Sequence, residues 1–152
     1  MTIADKGYQM KAFELRDQNG DNVSSKDIKG KILLAFHPLA FTSVCNDQMR
    51  DLENEYDEFT KRGITPLGIS VDAHPSKGVW ADALALKKLT ILSDFNPKGE
   101  VAKDLGVYIE KAGISGRAVV LVDEDGTVLW SKQYEKTQRP DVNEIMEAID
   151  NL

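Results

Sequence analysis

The chain holds a single cysteine, Cys45, and two histidines, His37 and His74, in 152 residues. One cysteine cannot close an intramolecular disulfide or work as a Cys-x-x-Cys oxidoreductase within one chain. It fits a reducing cytoplasm better than a secreted scaffold. With so few ligand types and no close spacing among them, no zinc-type motif is present. Positive charge is scarce too: 19 Lys and Arg against 25 Asp and Glu leave a net charge of −6. That balance argues against nucleic acid and anionic lipid as partners. No apolar run approaches the roughly 18 residues needed to span a membrane. The opening Met-Thr-Ile-Ala-Asp-Lys-Gly lacks the basic-then-apolar order of a secretion signal. Glycine-rich phosphate loops, internal repeats, linkers and low-complexity stretches are also missing. The composition is ordinary for a globular protein, 41% hydrophobic and 29% charged, and the length predicts one domain over residues 1–152.

Hydrophobic patterning gives the order of elements. Tyr8 to Leu15, the turn dipeptide Asn19-Gly20 and Val23 predict a β-hairpin at a sheet edge. Lys31 to His37 reads as an apolar strand ended by Pro38. Met49, Leu52, Tyr56 and Phe59 recur at intervals of three and four, predicting a helix from Asn46 to Arg62. The acidic cluster from Asp51 to Glu58 is its wet face, and Gly63 is its C-terminal cap. Ile64 to Val71 reads as a second buried strand. A helix from about Pro75 to Lys87 is expected to turn Val79, Trp80, Ala83 and Leu84 inward. A short strand, Thr90 to Leu92, and a short helix, Gly99 to Leu105, follow. Arg117 to Val122 is the most β-prone run, and the turn at Asp123 to Gly126 returns it through Thr127 to Ser131. Pro140 opens a last helix with Val142, Ile145, Met146 and Ile149 on one face. This order predicts an α/β fold, a central mixed β-sheet flanked by helices on both faces.

Cys45 stands where the strand ending at Pro38 gives way to a helix. Backbone N–H groups there have no helical carbonyl to bond, and with the positive end of the helix dipole they favour thiolate over thiol. Cys45 also lies four residues before Met49 and continues the apolar stripe, so the plain alternative is a small buried hydrophobe. Thr42 can place its hydroxyl either as a helix cap or beside the sulfur. Pro38 is close enough in sequence to wall off one side of the thiol. Arg117, at the mouth of the β-prone run, is a candidate cation for the thiolate, with solvent as the alternative for its side chain. Ser70, Asp72 and His74 alternate, but without a nucleophile elbow the first two read as turn and cap groups.

The pattern Pro38-x-x-x-Thr42-x-x-Cys45 resembles the peroxidatic motif of the peroxiredoxins. Phe36-His37-Pro38, Gly68-Ile69-Ser70-Val71-Asp72, Trp80, Leu92-Ser93-Asp94-Phe95, Gly106-Val107-Tyr108 and Arg117 before Ala118 to Asp123 extend the resemblance in order along the chain. Pro38-Leu39-Ala40-Phe41-Thr42 is most similar to the one-cysteine alkyl hydroperoxide reductase E type. The resemblance implies a thioredoxin-like fold and a thiol-dependent peroxidase. Cys45 would attack a peroxide oxygen and become a sulfenic acid. The N–H groups of Val44 and Cys45, the Thr42 hydroxyl and Arg117 would hold the two oxygens in line. Pro38 would shield the thiol, and Gln48 would orient the arginine or else be an exposed helix residue. Hydrogen peroxide, alkyl hydroperoxides and peroxynitrite are all expected substrates, with no metal, haem or flavin required. Relatives that resolve the sulfenic acid within the helix carry a cysteine five residues on, where this chain has Arg50. The chain also ends soon after its last helix, without a cysteine-bearing tail. The reductant is therefore expected from outside: a low-molecular-weight thiol or a thioredoxin- or glutaredoxin-like protein. Family likeness further implies a homodimer with contacts near Phe41 and Trp80, and the lone cysteine keeps the expected setting cytoplasmic. The alternative is a thioredoxin-like redox sensor or partner-binding module, in which Cys45 oxidation is a signal.

Overall fold

The computed structural model describes residues 2–152. In chain order the elements are β1 (Glu14–Asp17), β2 (Asn22–Ser24), β3 (Lys31–Phe36), α1 (Ser43–Asn54), α2 (Tyr56–Lys61), β4 (Ile64–Ser70), α3 (His74–Ala83), β5 (Thr90–Ser93), α4 (Glu100–Asp104), β6 (Tyr108–Ile109), β7 (Ile114–Ser115), β8 (Arg117–Val122), β9 (Val128–Tyr134) and α5 (Val142–Asp150). Seven strands form one sheet in the order β2-β1-β5-β4-β3-β8-β9. β3, β4 and β5 run parallel, while β1, β8 and β9 join antiparallel, so the sheet is mixed.

Alternation along the central strands divides the interior into two layers. Leu33 and Ala35 of β3 and Val119 and Leu121 of β8 face a core built with Met49, Leu52, Phe59, Trp80, Ile145 and Ile149 from α1, α2, α3 and α5. Ile32, Leu34 and Phe36, with Ala118, Val120 and Val122, face a second core that Val101 and Ala102 of α4 help close. Helices therefore cover both faces, as the sequence pattern predicts. At Gly68 of β4 a Cβ would stand 2.5 Å from Met49 Sδ and 2.8 Å from Ile91 Cγ2. The missing side chain lets α1 sit directly on the strand.

Three expectations need correction. The hairpin is real and lies at the edge, but its first strand is Glu14–Asp17 rather than Tyr8 to Leu15. The residues before it touch the sheet through one isolated bridge, Gln9 to Thr127, and through buried Met10 and Phe13. The helix expected from Asn46 to Arg62 is interrupted at Glu55 (φ −99°, ψ 11°), where Asp51, Glu55 and Glu58 place like charges three and four residues apart. Gly63 (φ 71°) does end the second piece as a left-handed cap. In α3, Val79 is 62% exposed and Ala83 is exposed as well. The inward stripe is instead Lys77, Trp80, Ala81 and Leu84, a three-and-four spacing that includes a lysine. The β6–β7 ribbon was not anticipated; its strands are too short for alternation to show.

Candidate active site

β3 delivers His37 and Pro38, both buried, to the end of the sheet. The chain then turns through Phe41, whose φ of 70° is unusual for a side chain of that size. Asp72 Oδ2 accepts from the Ala40 N–H at 2.9 Å and from Ser70 Oγ at 2.6 Å, bracing this loop from the end of β4. Ser70 and Asp72 thus serve as turn groups, and His74 packs against the Gly20 turn. Thr42 occupies the N-cap position of α1, but its hydroxyl donates to the Leu39 carbonyl at 2.9 Å. The capping alternative is therefore not what the structure adopts. The first-turn N–H groups of Val44 and Cys45 have neither a helical acceptor nor a side-chain cap, since the ladder begins with Asn46 N–H to the Thr42 carbonyl at 2.9 Å. Donors aimed out of a helix N-terminus are suited to an oxygen carrying negative charge.

Cys45 is 0% exposed. Arg117 reaches it from the sheet. Ala118 pairs with Phe36, so Arg117 begins β8 beside the strand end that leads to Pro38, on the same face as Val119 and Leu121. Its guanidinium is fixed on every side: Nε and Nη2 donate to the Lys136 carbonyl at 3.0 and 2.9 Å, and Nη1 donates to Gln48 Oε1 at 2.6 Å. Nη2 also reaches Cys45 Sγ at 3.2 Å. Gln48 is buried one turn after Cys45, so its exposed alternative is excluded by position. The structure thus brings Arg117 into direct contact with both Cys45 and Gln48, with Thr42 and Val44 at the start of the helix and Pro38 buried at the loop's start. A cationic fork against a sulfur at a helix N-terminus can hold a thiolate and stabilise negative charge on an oxygen beside it.

One feature of the site escaped the sequence reading. Lys77 is fully buried, and its Nζ lies 2.9 Å from Nε2 of His37, itself 0% exposed. Burial lowers Lys77 from 10.5 to about 7, although Asp72, Cys45 and Asp94 act in the opposite direction. Burial, Lys77 and Arg117 together push His37 well below 6.5. The available signal was the spacing 77, 80, 81, 84, which places the lysine on the apolar stripe. Between pH 7 and 10.5 the unfolded chain binds a proton at Lys77 that the folded chain lacks. Stability contributed by this group therefore rises with pH across that window and is lost as pH falls through 7. Lys77→Met is expected to remove the slope. In urea unfolding at pH 6.5 and 9.5, the gain at the higher pH should be on the order of 3 kcal/mol smaller in the variant than in the parent chain.

Residues 7–131 match the AhpC/TSA family. The alkyl hydroperoxide reductase E of Mycobacterium tuberculosis is 36% identical over 122 residues, covering 79% of each chain. Among solved structures, Enterococcus faecalis AhpC shares the fold at a TM-score of 0.90 and 22% identity, over 98% of this chain and 92% of that one. The reduced 2-Cys peroxiredoxin of Plasmodium vivax aligns at 0.86 with 28% identity, over 99% and 81%. With a thioredoxin-like sheet, a lone cysteine at the head of α1 and these relatives, the chain belongs to the AhpC/TSA family of peroxiredoxins and is a thiol-dependent peroxidase of the one-cysteine type.

Proposed function

We propose that Cys45 is the peroxide nucleophile and that residues 1–152 act as a single domain around it. The observation that carries this reading is the contact of Arg117 Nη2 with Cys45 Sγ at 3.2 Å, beside the unfilled N–H groups of Val44 and Cys45. The thiolate attacks the terminal oxygen of the peroxide. An S–O bond forms and the O–O bond breaks; the leaving group is alkoxide or hydroxide, which takes up a proton, or nitrite when the substrate is peroxynitrite. Arg117 and the Val44 and Cys45 N–H groups stabilise the charge moving onto that oxygen, while Gln48 holds the guanidinium in plane. Thr42 keeps acceptor capacity on its hydroxyl while donating to Leu39, which suits it to orient the peroxide O–H. Buried Pro38 screens the sulfur from water.

Hydrogen peroxide, alkyl hydroperoxides and peroxynitrite share the O–O unit that these donors address, and we keep all three as substrates. Since Cys45 is the only thiol, the sulfenic acid needs an external reductant, either a low-molecular-weight thiol or a thioredoxin- or glutaredoxin-like protein. Among the described residues no helix is long and apolar enough to cross a membrane, and a single cysteine with no partner for a disulfide supports a cytoplasmic setting. Exposed Phe41 (54%) and Val79 (62%) flank buried Trp80, and this patch supports a homodimer contact near Phe41 and Trp80.

A single experiment tests the cycle. One equivalent of peroxide is expected to make Cys45 reactive to dimedone, and a small thiol or a thioredoxin-like protein is expected to restore the free thiol over repeated turnovers. Absence of the dimedone adduct would sink the reading. An adduct that no thiol recycles would instead favour the sensor alternative.

A further inference from the structure

Lys77 and His37 form a buried pair that the peroxidase chemistry above leaves without a role. Among the described residues, the only hydrogen-bond partner of Lys77 Nζ is His37 Nε2 at 2.9 Å, and no carboxylate lies within 4 Å of it. On its other side, His37 Nδ1 lies toward the Leu39 backbone without a full hydrogen bond. An amine and an imidazole this close carry at most one positive charge between them, because two cations would repel without a counterion to compensate. The pair is built into the active site. His37 directly precedes Pro38. Trp80 lies against His37 (ring centroids 4.9 Å apart) and under Lys77 Nζ (5.9 Å), and its Nε1 donates to Asn46 Oδ1 at 2.7 Å, one residue after Cys45.

Five groups bear on the pair electrostatically: Asp72, Asp94 and Cys45 toward Lys77, and Lys77 itself and Arg117 toward His37. Asp72 is committed to Ala40 N–H and Ser70 Oγ, and Asp94 to the N–H groups of Val101 and Ala102 at 3.1 and 3.0 Å. Arg117 is a permanent cation. Of the groups facing Lys77, Cys45 alone changes charge during the reaction.

We propose that the buried His37–Lys77 pair is a proton store linked to Cys45, carrying the Lys77 ammonium in larger share while Cys45 is a thiolate and in smaller share once Cys45 becomes a neutral sulfenic acid. The proposal rests on Cys45 as the peroxide nucleophile. Its balance is thiolate plus peroxide plus ammonium giving sulfenic acid, alcohol or water, and neutral amine. Sulfur is oxidised by two electrons, the O–O bond is reduced, and the proton lost by Lys77 matches the one gained by the leaving oxygen through exchange with solvent. Lys77 is a positioning residue here, acting through charge rather than by touching the peroxide.

Linkage of this kind is reciprocal. In protein labelled with 13C-lysine, the titration midpoint of Lys77, assigned by its loss in Lys77→Met, is expected to fall in Cys45→Ser, whose side chain stays neutral. The thiolate absorbance of Cys45 at 240 nm is expected to titrate at a correspondingly higher pH in Lys77→Met. The two shifts should be equal and about one pH unit, the size ordinarily produced by a neighbouring buried charge. Lys77→Arg, which keeps a cation, is expected to restore the thiolate midpoint. An unchanged Lys77 midpoint in Cys45→Ser would overturn the proposal, as would an unchanged thiolate midpoint in folded Lys77→Met. If Lys77→Met does not fold, the Cys45→Ser comparison decides alone, with Lys77 assigned by Lys77→Arg. Failure of Cys45 to react with peroxide would remove the nucleophile reading while leaving both midpoints measurable, so the two failures are distinguishable.

Discussion

Arg117→Ala is expected to slow the oxidation of Cys45 by peroxide about 10²- to 10³-fold, the usual loss when one preorganised donor to a developing oxyanion is removed. The expectation follows from how little freedom the guanidinium has. It is 2% exposed and bonded to Gln48, to the Lys136 carbonyl and to the sulfur itself. A donor already in place needs no reorganisation as charge moves onto the leaving oxygen, so its contribution falls on the transition state. Arg117→Lys keeps the charge but cannot bond Gln48, Lys136 and Cys45 together, and it should fall between alanine and the parent chain. Single-turnover stopped flow, with Cys45→Ser as the baseline, gives the rates. Circular dichroism separates chemistry from unfolding, which matters because alanine leaves Gln48 Oε1 and the Lys136 carbonyl without their donor. A folded Arg117→Ala protein that oxidises at the parent rate would remove the arginine from the mechanism.

Phe59→Ala carries the largest expected cost in stability, about 3–5 kcal/mol in urea unfolding. Phe59 is 0% exposed and belongs to the core that Cys45, Met49, Leu52 and Ile64 share. It stands on α2, after the break at Glu55 that lets the second helical piece turn its ring onto the sheet. The cavity would be walled by β4 and α1, and a sheet with parallel partners on both sides of β4 has little room to collapse into it. The rate of Cys45 oxidation in the folded variant is expected to stay within a few-fold of the parent, because the hydrogen bonds that hold Arg117 come from Gln48 and the Lys136 carbonyl and not from Phe59. A loss below about 1 kcal/mol would mean that α2 relaxes to fill the space.

The two predictions also mark where the sequence was readable. β8 was bounded correctly because a six-residue run ending in Val119-Val120-Leu121-Val122, buried on both faces, leaves one interpretation. α5 announced itself through Val142, Ile145, Met146 and Ile149, with Asp141 capping the Asn143 N–H. The pattern from Pro38 to Cys45 marked the candidate site through its resemblance to the peroxidatic motif. That Arg117 meets Cys45 could not be read from spacing at all. The contact spans 72 positions and exists because β8 lies antiparallel beside β3, a fact of tertiary pairing. The break at Glu55 was hidden since no glycine or proline marks it, only a balance of like charges. Lys77 was hidden for a different reason: a charged residue is assumed to face water, and that assumption overruled the helical stripe on which it stands. Val79 was misplaced by the same assumption in reverse.

Gly68 has a mechanical consequence for an over-oxidised site. Because the Met49 side chain of α1 fills the space over a strand position with no side chain of its own, the sheet side beneath the helix is closely packed one turn after Cys45. Each oxygen added to the sulfur needs volume that the sheet side cannot yield. The displacement is passed toward the guanidinium of Arg117 and, through it, to Gln48 and the Lys136 carbonyl. Damage to the sulfur is therefore transmitted sideways, as a load on the segment after β9 at the protein's surface, while the core beneath the helix keeps its shape.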